Sequence, residues 1–277
     1  MTDQAPLRIL ACQIDIPPMT SADERDQHLE RVAAIVREML TEHPADLVVL
    51  PELASIDYSR AVFDRLDDLA EPLDGVSFRA WSGVARDLGV HVAYGFARRS
   101  EDKYFISVAV VNPQGELLGH YDKLHLAQYG ASMEKDYFTC GNHVFLFEIK
   151  GFRLAPIICY DIRIPELSRT LVVDRGAVVI LHCGAYYRDC SFRSWHDFAL
   201  TRAIENQCYL LSLNRAGAHY GNSIFCRPWH DETIPPLIFP QQEEAFRLVE
   251  LTHQELDQVR TSFSFLRDRL DSYDLPS

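Results

Sequence analysis

Long apolar runs are missing from this sequence, and so is an N-terminal targeting pattern. Among its 277 residues, no uninterrupted hydrophobic stretch approaches the roughly 20 residues needed to cross a bilayer. The first residues, Met1–Gln4, do not open a basic region followed by an apolar one, which is the pattern of an export signal. We therefore expect a cytoplasmic protein with no membrane partner.

Basic residues are in the minority. Lys and Arg total 27 against 40 Asp and Glu, which gives a formal net charge of −13. Binding to a nucleic-acid backbone requires a basic stripe, and none is visible, so no nucleic-acid partner is expected. An anionic membrane surface is disfavoured for the same reason. The acidity is typical of an ordinary soluble surface.

Linker-like sequence is absent as well. Tracts rich in Pro, Gly and Ser do not occur, and 47% of the residues are hydrophobic, which is enough for a large core. We therefore expect residues 1–277 to form a single domain.

The cysteine pattern argues against a disulfide framework. The number is odd and no pair has a framework-like spacing in the set Cys12, Cys140, Cys159, Cys183, Cys190, Cys208 and Cys226. Several of them lie in apolar, strand-like runs. We expect reduced thiols in a reducing compartment, most of them small core residues and one or two with special chemistry.

Hydrophobic periodicity predicts alternating strands and helices. Ser21 and Glu24 have the spacing of a capping box at the start of an amphipathic helix. Pro165 suits the first turn of another helix, which we expect to end near Arg175. Strands are expected at Leu7–Ile16, Leu47–Leu50, Val90–Phe96, Phe105–Val111, Val144–Ile149, Phe152–Ile158 and Ala177–Leu181. This order favours an α/β protein with mixed sheets and outer helices.

Cys159 follows the predicted strand Phe152–Ile158 and precedes the helix that opens at Pro165. A tight turn from strand to helix would project the side chain near helical N–H groups, which favour an anion. Such a setting produces a reactive thiol nucleophile. The alternative is a buried structural cysteine like the other six.

Two further residues are candidates for proton transfer and charge stabilisation. Glu52 ends a strand that is apolar on both faces, where partial desolvation raises a carboxyl pKa toward that of a general base. Lys123 lies in an apolar and aromatic stretch and could stabilise a thiolate or an oxyanion. The alternatives are a loop carboxylate for Glu52 and a surface lysine packed over Tyr121 for Lys123.

Three motifs together resemble the signatures of the nitrilase, or carbon–nitrogen hydrolase, superfamily. They are Pro51-Glu52-Leu53, Tyr121-Asp122-Lys123-Leu124-His125-Leu126 and Ile158-Cys159-Tyr160-Asp161-Ile162-Arg163-Ile164-Pro165-Glu166-Leu167. The resemblance extends over nearly the whole chain, in the same order. It implies a four-layer α-β-β-α sandwich and a homodimer or higher homo-oligomer. No metal and no cofactor is expected.

The resemblance also assigns roles to individual residues. It implies a catalytic triad of Glu52, Lys123 and Cys159. Glu134 matches the family's second active-site glutamate, and the backbone N–H of Tyr160 would assist Lys123 in stabilising the oxyanion. The implied reaction is hydrolysis of a carbon–nitrogen bond in a small amide, with a thioester on Cys159 and release of ammonia.

The sequence around Cys159 is similar to the omega-amidase, or Nit-type amidase, branch. Members of that branch act on the distal amide of short dicarboxylic acid monoamides, so the expected substrate is the omega-amide of a short carboxylic acid. An anionic substrate would need a cationic or hydroxyl anchor, for which Arg163, Arg188 and Tyr129 are candidates. Leu126-Ala127-Gln128 departs from the Leu-Phe-Asp common among amidase relatives.

Several alternatives stay open at this point. Within the superfamily, an N-carbamoyl-compound hydrolase or a nitrilase would share the three motifs. A Cys–His hydrolase would need His125 or His182 beside Cys159. A non-catalytic binding or scaffold protein on the same fold, or a redox-sensing thiol, would not release ammonia. A zinc enzyme is disfavoured, since His182, Cys183 and Cys190 lack a plausible ligand spacing.

Overall fold

A computed structural model describes residues 5–270, 272 and 273 of the chain. Within these residues, no helix is long and apolar enough to cross a membrane. The segment Met1–Gln4, on which the prediction about an export signal depends, lies outside the described residues. That residues 1–277 form one domain stays a prediction.

Twelve strands and eight α-helices make up most of the regular structure of the described residues. The strands are β1 (Leu7–Gln13), β2 (Leu47–Val49), β3 (His91–Ser100), β4 (Lys103–Val111), β5 (Leu117–Asp122), β6 (Phe147–Ile149), β7 (Phe152–Ile158), β8 (Val179–Cys183), β9 (Tyr209–Leu213), β10 (Ile224–Cys226), β11 (Leu237–Ile238) and β12 (Ala245–Leu251). The helices are α1 (Ala22–Glu42), α2 (Arg60–Phe63), α3 (Leu66–Leu69), α4 (Val76–Leu88), α5 (Pro165–Arg169), α6 (Phe192–Asn206), α7 (His253–Ser262) and α8 (Phe265–Asp268).

The strands form two mixed six-stranded sheets. The first has the order β12-β1-β2-β3-β4-β5 and the second the order β11-β10-β9-β8-β7-β6. In each sheet three central strands are parallel, β1 to β3 in the first and β7 to β9 in the second. Strands β12 and β4 flank the first set and run antiparallel to it, as β10 and β6 do for the second set. The edge strands β5 and β11 pair antiparallel with β4 and β10.

Side-chain alternation along the second sheet shows how the layers pack. Leu154, Ile158 and Leu181 belong to the core that the second sheet shares with the first sheet. Strand β7 of the second sheet contacts β4 of the first sheet. Ile157 and Ile180 point to the opposite face and pack with apolar side chains of α5 and α6. Helices α1 and α4 contact each other and carry buried residues of the first core. The four-layer α-β-β-α sandwich predicted from the sequence is therefore confirmed.

Several predicted boundaries differ from the structure. The capping box of Ser21 and Glu24 is present, with the Ser21 side chain accepting from the Glu24 amide. The first strand ends at Gln13 rather than Ile16, and the strand expected from Val144 begins at Phe147. After Arg169 the predicted helix continues as a turn of π-helix, Thr170–Asp174, because one extra residue is accommodated there.

Candidate active site

A buried lysine holds two carboxylates together. Lys123 Nζ donates to Glu52 Oε1 at 2.8 Å and to Glu134 Oε1 at 2.7 Å. All three residues have 0% exposure to solvent. The predicted residues are thus neighbours in space, although the Lys123 partners lie 71 and 11 positions away in the sequence.

The first sheet positions both Glu52 and Lys123 at the ends of strands. Lys123 directly follows β5, and its amide donates to Ile106 O on β4 at 2.8 Å. Glu52 lies in the turn after β2, and that turn passes very close to Gly95 of β3. A Cβ atom on Gly95 would lie 2.2 Å from Pro51 O and 2.8 Å from the Cα of Glu52. Only glycine therefore permits the turn to hold Glu52 at this depth.

Glu134 is anchored at both of its carboxylate oxygens. It begins a short 3₁₀ turn, Glu134–Asp136. Besides Lys123, its Oε1 accepts from Tyr58 OH at 2.9 Å, and its Oε2 accepts from the amide of Ala127 at 2.8 Å. With every oxygen bonded, the carboxylate is fixed in place, and it in turn fixes the ammonium of Lys123.

Cys159 occupies the sharp turn that the sequence predicted. It follows β7 directly and has a φ of 45°, a left-handed conformation that is unfavourable for a non-glycine residue. The buried Asp161 supports the turn, since it accepts from the amide of Ile158 at 3.0 Å and from Tyr121 OH at 2.7 Å. The same carboxylate accepts from the amide of His125 at 3.0 Å, which links the lysine loop to the cysteine loop.

The protonation states follow from burial and charge. Burial raises the pKa of Glu52 to about 7, although the neighbouring ammonium opposes this shift. Burial alone would lower the pKa of Lys123, but Glu134 and Glu52 raise it well above its usual value. Burial also raises the pKa of the Cys159 thiol well above its usual value. Near neutral pH the site therefore holds a thiol at Cys159, an ammonium at Lys123 and, at Glu52, a carboxyl group that can bind or release a proton.

One oxygen of the Glu52 carboxyl group is left free, since Lys123 binds only the other. Oε2 is buried and has no hydrogen-bond partner at normal distance among the described residues. The Cys159 thiol is nevertheless close enough to lower the pKa of the Glu52 carboxyl by hydrogen bonding. A free carboxylate oxygen beside a protonated thiol is the arrangement that general-base catalysis requires.

A small pocket opens onto Cys159. It encloses about 380 Å³ together with its open mouth. Apart from Glu134 and Cys159, its lining is mostly tyrosine, serine and alanine: Tyr58, Ala127, Tyr129, Ala131, Ser132, Ala185, Tyr186, Tyr187, Asp189 and Ser191. Hydroxyl groups and aromatic rings are suited to holding a small polar molecule.

The three residues predicted as candidate substrate anchors differ in their position relative to the pocket. Tyr129 lines the pocket, and the Arg163 guanidinium carbon lies 5.8 Å from the centre of its ring. Arg163 itself donates to Ser194 Oγ and to Ser191 O, both at 3.2 Å. Arg188 donates to the backbone oxygens of Tyr220 and Gln241 and to the side-chain oxygen of Asn222. Of the three candidates, only Tyr129 therefore lines the pocket.

Neither histidine considered as an alternative base contacts the sulfur. His125 Nδ1 pairs with Asp161 Oδ1 at 2.7 Å, and His182 Nε2 lies 2.9 Å from the backbone oxygen of Cys159. The Cys–His alternative therefore has no support in the geometry. Among the described residues, no group of three or more His, Cys, Asp or Glu could hold a metal ion.

Sequence reasoning missed three groups that complete the site. Tyr58 binds Glu134. The backbone of Ala185 lies close enough to the Cys159 thiol to lower its pKa by hydrogen bonding, against the larger effect of burial. Tyr186 donates to the Cys159 carbonyl at 2.8 Å. No local pattern marks these residues, since each lies more than 25 positions from its partner or acts through its backbone.

Comparison with known proteins agrees with this geometry. A family model described as carbon–nitrogen hydrolase matches residues 8–256. A 2-oxoglutaramate amidase of Bacillus subtilis is 32% identical over 237 residues, which cover 83% of this chain and 87% of that protein. The omega-amidase NIT2 of Bos taurus is 26% identical over 284 residues, which cover 98% of each.

Solved structures show the same architecture. The crystal structure of Nit3 from Saccharomyces cerevisiae, a member of branch 10 of the nitrilase superfamily, aligns with a TM-score of 0.80. It is 23% identical, and the alignment covers 93% of this chain and 94% of that one, so the likeness shows the fold. Because the family model matches nearly the whole sequence, the chain belongs to the carbon–nitrogen hydrolase family and is an enzyme of the amidase type.

Proposed function

We propose that this enzyme hydrolyses the omega-amide of a short carboxylic acid to the acid and ammonia, through a thioester on Cys159. The observation that carries the proposal is the buried cluster in which Lys123 joins Glu52 and Glu134 beside the thiol, at the base of a small pocket. Two relatives with full or nearly full coverage are named as amidases of this kind, which supports the choice of substrate.

In the proposed acylation step, Glu52 takes the thiol proton and the sulfur attacks the amide carbon. The developing oxyanion is stabilised by Lys123 and by the backbone N–H of Tyr160. When the carbon–nitrogen bond breaks, Glu52 returns its proton to the nitrogen, and ammonia leaves. The pKa of about 7 fits Glu52 for both roles, since it can accept and release a proton near neutral pH.

In the proposed deacylation step, Glu52 takes a proton from water, and the water oxygen attacks the thioester carbon. The carbon–sulfur bond breaks, the proton returns to the sulfur, and the carboxylic acid departs. Lys123 again faces the oxyanion. No metal, cofactor or further reactant enters either step.

We assign Glu134 a positioning role. It holds the Lys123 ammonium at 2.7 Å and is itself held by Tyr58 and by the amide of Ala127. Its charge also sustains the protonated state of the lysine. For the acyl end of the substrate, Tyr129 and the serine hydroxyls of the pocket lining are the proposed contacts.

Ammonia release from a substrate panel tests the proposal. Omega-amides of short dicarboxylic acids should be hydrolysed faster than N-carbamoyl compounds or nitriles of the same length. Cys159→Ala should release no ammonia, while mass spectrometry of quenched wild-type enzyme should show an acyl group on Cys159. A Cys159→Ala variant with wild-type activity would refute the mechanism, and a wild-type protein that neither forms the adduct nor releases ammonia would favour a scaffold.

We further propose a cytoplasmic homodimer or higher homo-oligomer that works without nucleic-acid or membrane partners. The net charge of −13 argues against a nucleic-acid partner, and the free state of all seven cysteines supports a reducing compartment. The oligomer is proposed from the resemblance to the family. Light scattering after size-exclusion chromatography should give a mass of at least twice the 31.7 kDa of the chain. A mass of one chain over the working concentration range would contradict the oligomer.

A further inference from the structure

The backbone carbonyl of Cys159 accepts two buried side-chain hydrogen bonds. His182 Nε2 lies 2.9 Å from the oxygen, and Tyr186 OH lies 2.8 Å from it. His182 has 0% exposure and Tyr186 has 4%. Both donors come from β8 and the segment that follows it, 23 and 27 positions after the cysteine.

His182 is also hydrogen-bonded on its other ring nitrogen, to a serine that accepts from a tryptophan. Its Nδ1 lies 2.6 Å from Ser212 Oγ, and Trp195 Nε1 donates to the same oxygen at 2.7 Å. An indole N–H can only donate and a carbonyl oxygen can only accept. His182 must therefore carry a proton on Nε2. Because burial lowers the pKa of His182 to about 4, the imidazole is neutral near pH 7, and its Nδ1 accepts from the Ser212 hydroxyl.

The two hydrogen bonds act on the peptide unit that joins Cys159 to Tyr160. This unit is planar, and no peptide bond in the described chain is cis, so its C=O and N–H point in opposite directions. Fixing the oxygen therefore fixes the direction of the Tyr160 N–H. Two donors on the oxygen also polarise the unit and strengthen the N–H as a donor. The left-handed φ of Cys159, 45°, would otherwise relax toward a favoured value.

We propose that His182, Ser212, Trp195 and Tyr186 form a positioning network that clamps the Cys159–Tyr160 peptide and aims the Tyr160 N–H at the oxyanion of the reaction. The inference rests on the proposed function, in which that N–H is an oxyanion donor. None of the four side chains exchanges a proton with the substrate. His182 in particular is excluded as the base, since its Nε2 proton is committed to a carbonyl oxygen.

Tyr186→Phe tests the network with little disturbance of packing. The ring stacks on Trp195 with centroids 4.6 Å apart and an angle of 5°, and this contact does not involve the hydroxyl. We expect kcat to fall by about tenfold, a fraction of the about 10²–10³-fold that a direct oxyanion donor supplies, with KM unchanged. Tyr94→Phe is the matched control, because the buried Tyr94 hydroxyl on β3 has no hydrogen-bond partner among the described residues.

Affinity for a short aldehyde separates oxyanion positioning from general loosening of the fold. The thiol adds to the aldehyde carbonyl, its proton goes to oxygen, and the tetrahedral product uses the same N–H donor. For Tyr186→Phe the inhibition constant should rise by the same factor as kcat falls. If the hydroxyl has only a structural role, Tyr186→Phe should lower the melting temperature, and the inhibition constant should not rise in parallel with the fall in kcat.

Variants of His182 give a second, independent test. Glutamine can donate to the Cys159 oxygen and accept from Ser212, whereas leucine can do neither. We expect His182→Gln to retain at least about a third of kcat, and His182→Leu to lose about 10²-fold, a loss of the size reported for an oxyanion donor. If His182→Leu does not fold, Ser212→Ala takes its place, with an expected loss of about threefold to tenfold.

The outcomes are distinguishable from failure of the proposed function. If wild-type enzyme hydrolyses amides while both Tyr186→Phe and Ser212→Ala keep wild-type kcat and aldehyde affinity, the positioning network is wrong and the amidase mechanism stands. If wild-type enzyme releases no ammonia from any amide in the panel, the proposed function fails first. Loss of kcat in Tyr94→Phe of the same size as in Tyr186→Phe would also overturn the network.

Discussion

Removing the charge of Glu134 should shift the pH dependence of the enzyme toward acid. Glu52 must be ionised to take the thiol proton, so kcat/KM falls as the pH falls through the Glu52 pKa, which is about 7. Glu134 contributes to that value, because its negative charge raises the pKa of Glu52. Glu134→Gln keeps the size of the side chain and removes the charge.

The expected shift can be estimated from the geometry. The two carboxylate oxygens lie 2.8 and 2.7 Å from Lys123 Nζ, so they are no more than about 5.5 Å apart. At that distance and an effective dielectric constant of about 20, two unit charges repel by about 3 kcal/mol, or about 2 pKa units. We expect the acid limb of the kcat/KM profile to move down by about 2 units.

The assay is initial-rate ammonia release across the pH range over which wild type and variant both stay folded. The rate at the optimum should also fall, because the glutamine amide cannot accept from both Ala127 N–H and Lys123 in the way that the carboxylate does. Tyr58→Phe is the control, since it removes a hydrogen bond to Glu134 and leaves the charge. An acid limb that stays near pH 7 in Glu134→Gln, or moves upward, would refute the electrostatic reasoning.

Three further variants test other parts of the site. Gly95→Ala places a Cβ 2.2 Å from the backbone of the turn that carries Glu52, and should lower kcat at least 10²-fold in the ammonia assay. In the pocket lining, Asp189 accepts from the amide of Ser191 at 2.8 Å and from the amide of Ala131 at 3.3 Å. Asp189→Ala should raise KM about fivefold with little change in kcat, measured by steady-state kinetics. Arg98→Met leaves the buried Asp122 carboxylate without the guanidinium that binds it at 2.7 Å. It should lower the free energy of unfolding, measured with urea, by about 3–5 kcal/mol.

The parts of the site that the sequence predicted are those with a local signature. The turn at Cys159 lies between an apolar strand and a proline that can start a helix, and Glu52 ends a continuous apolar run. Each of these two features can be recognised within a sequence window of about ten residues. The pairing of Glu52 with Lys123 came from the resemblance to a family, because contact across 71 positions has no local mark.

The parts that the sequence did not predict depend on strand register across the sheet. From the sequence, His182 is a candidate base, because a Cys–His hydrolase needs a histidine beside its cysteine. In the structure β8 lies beside β7 and β9, with His182 opposite Ile157 and Ser212, and this register directs the imidazole to a carbonyl and a hydroxyl. Boundaries such as Phe147 for β6 were displaced because short apolar runs do not show where pairing begins.

The two sheets contribute different halves of the chemistry. Glu52 and Lys123 follow strands β2 and β5 of the first sheet, whereas Cys159 follows β7 of the second sheet. An ammonium and two carboxylates with 0% exposure are costly to bury, and an apolar core of the same volume would serve stability at least as well. Their cost is understandable only if the charges act on a group brought in from the opposite sheet. In the proposed mechanism, the sandwich supplies the dry setting in which Lys123 acts strongly on the oxyanion of the tetrahedral carbon that is bonded to the sulfur.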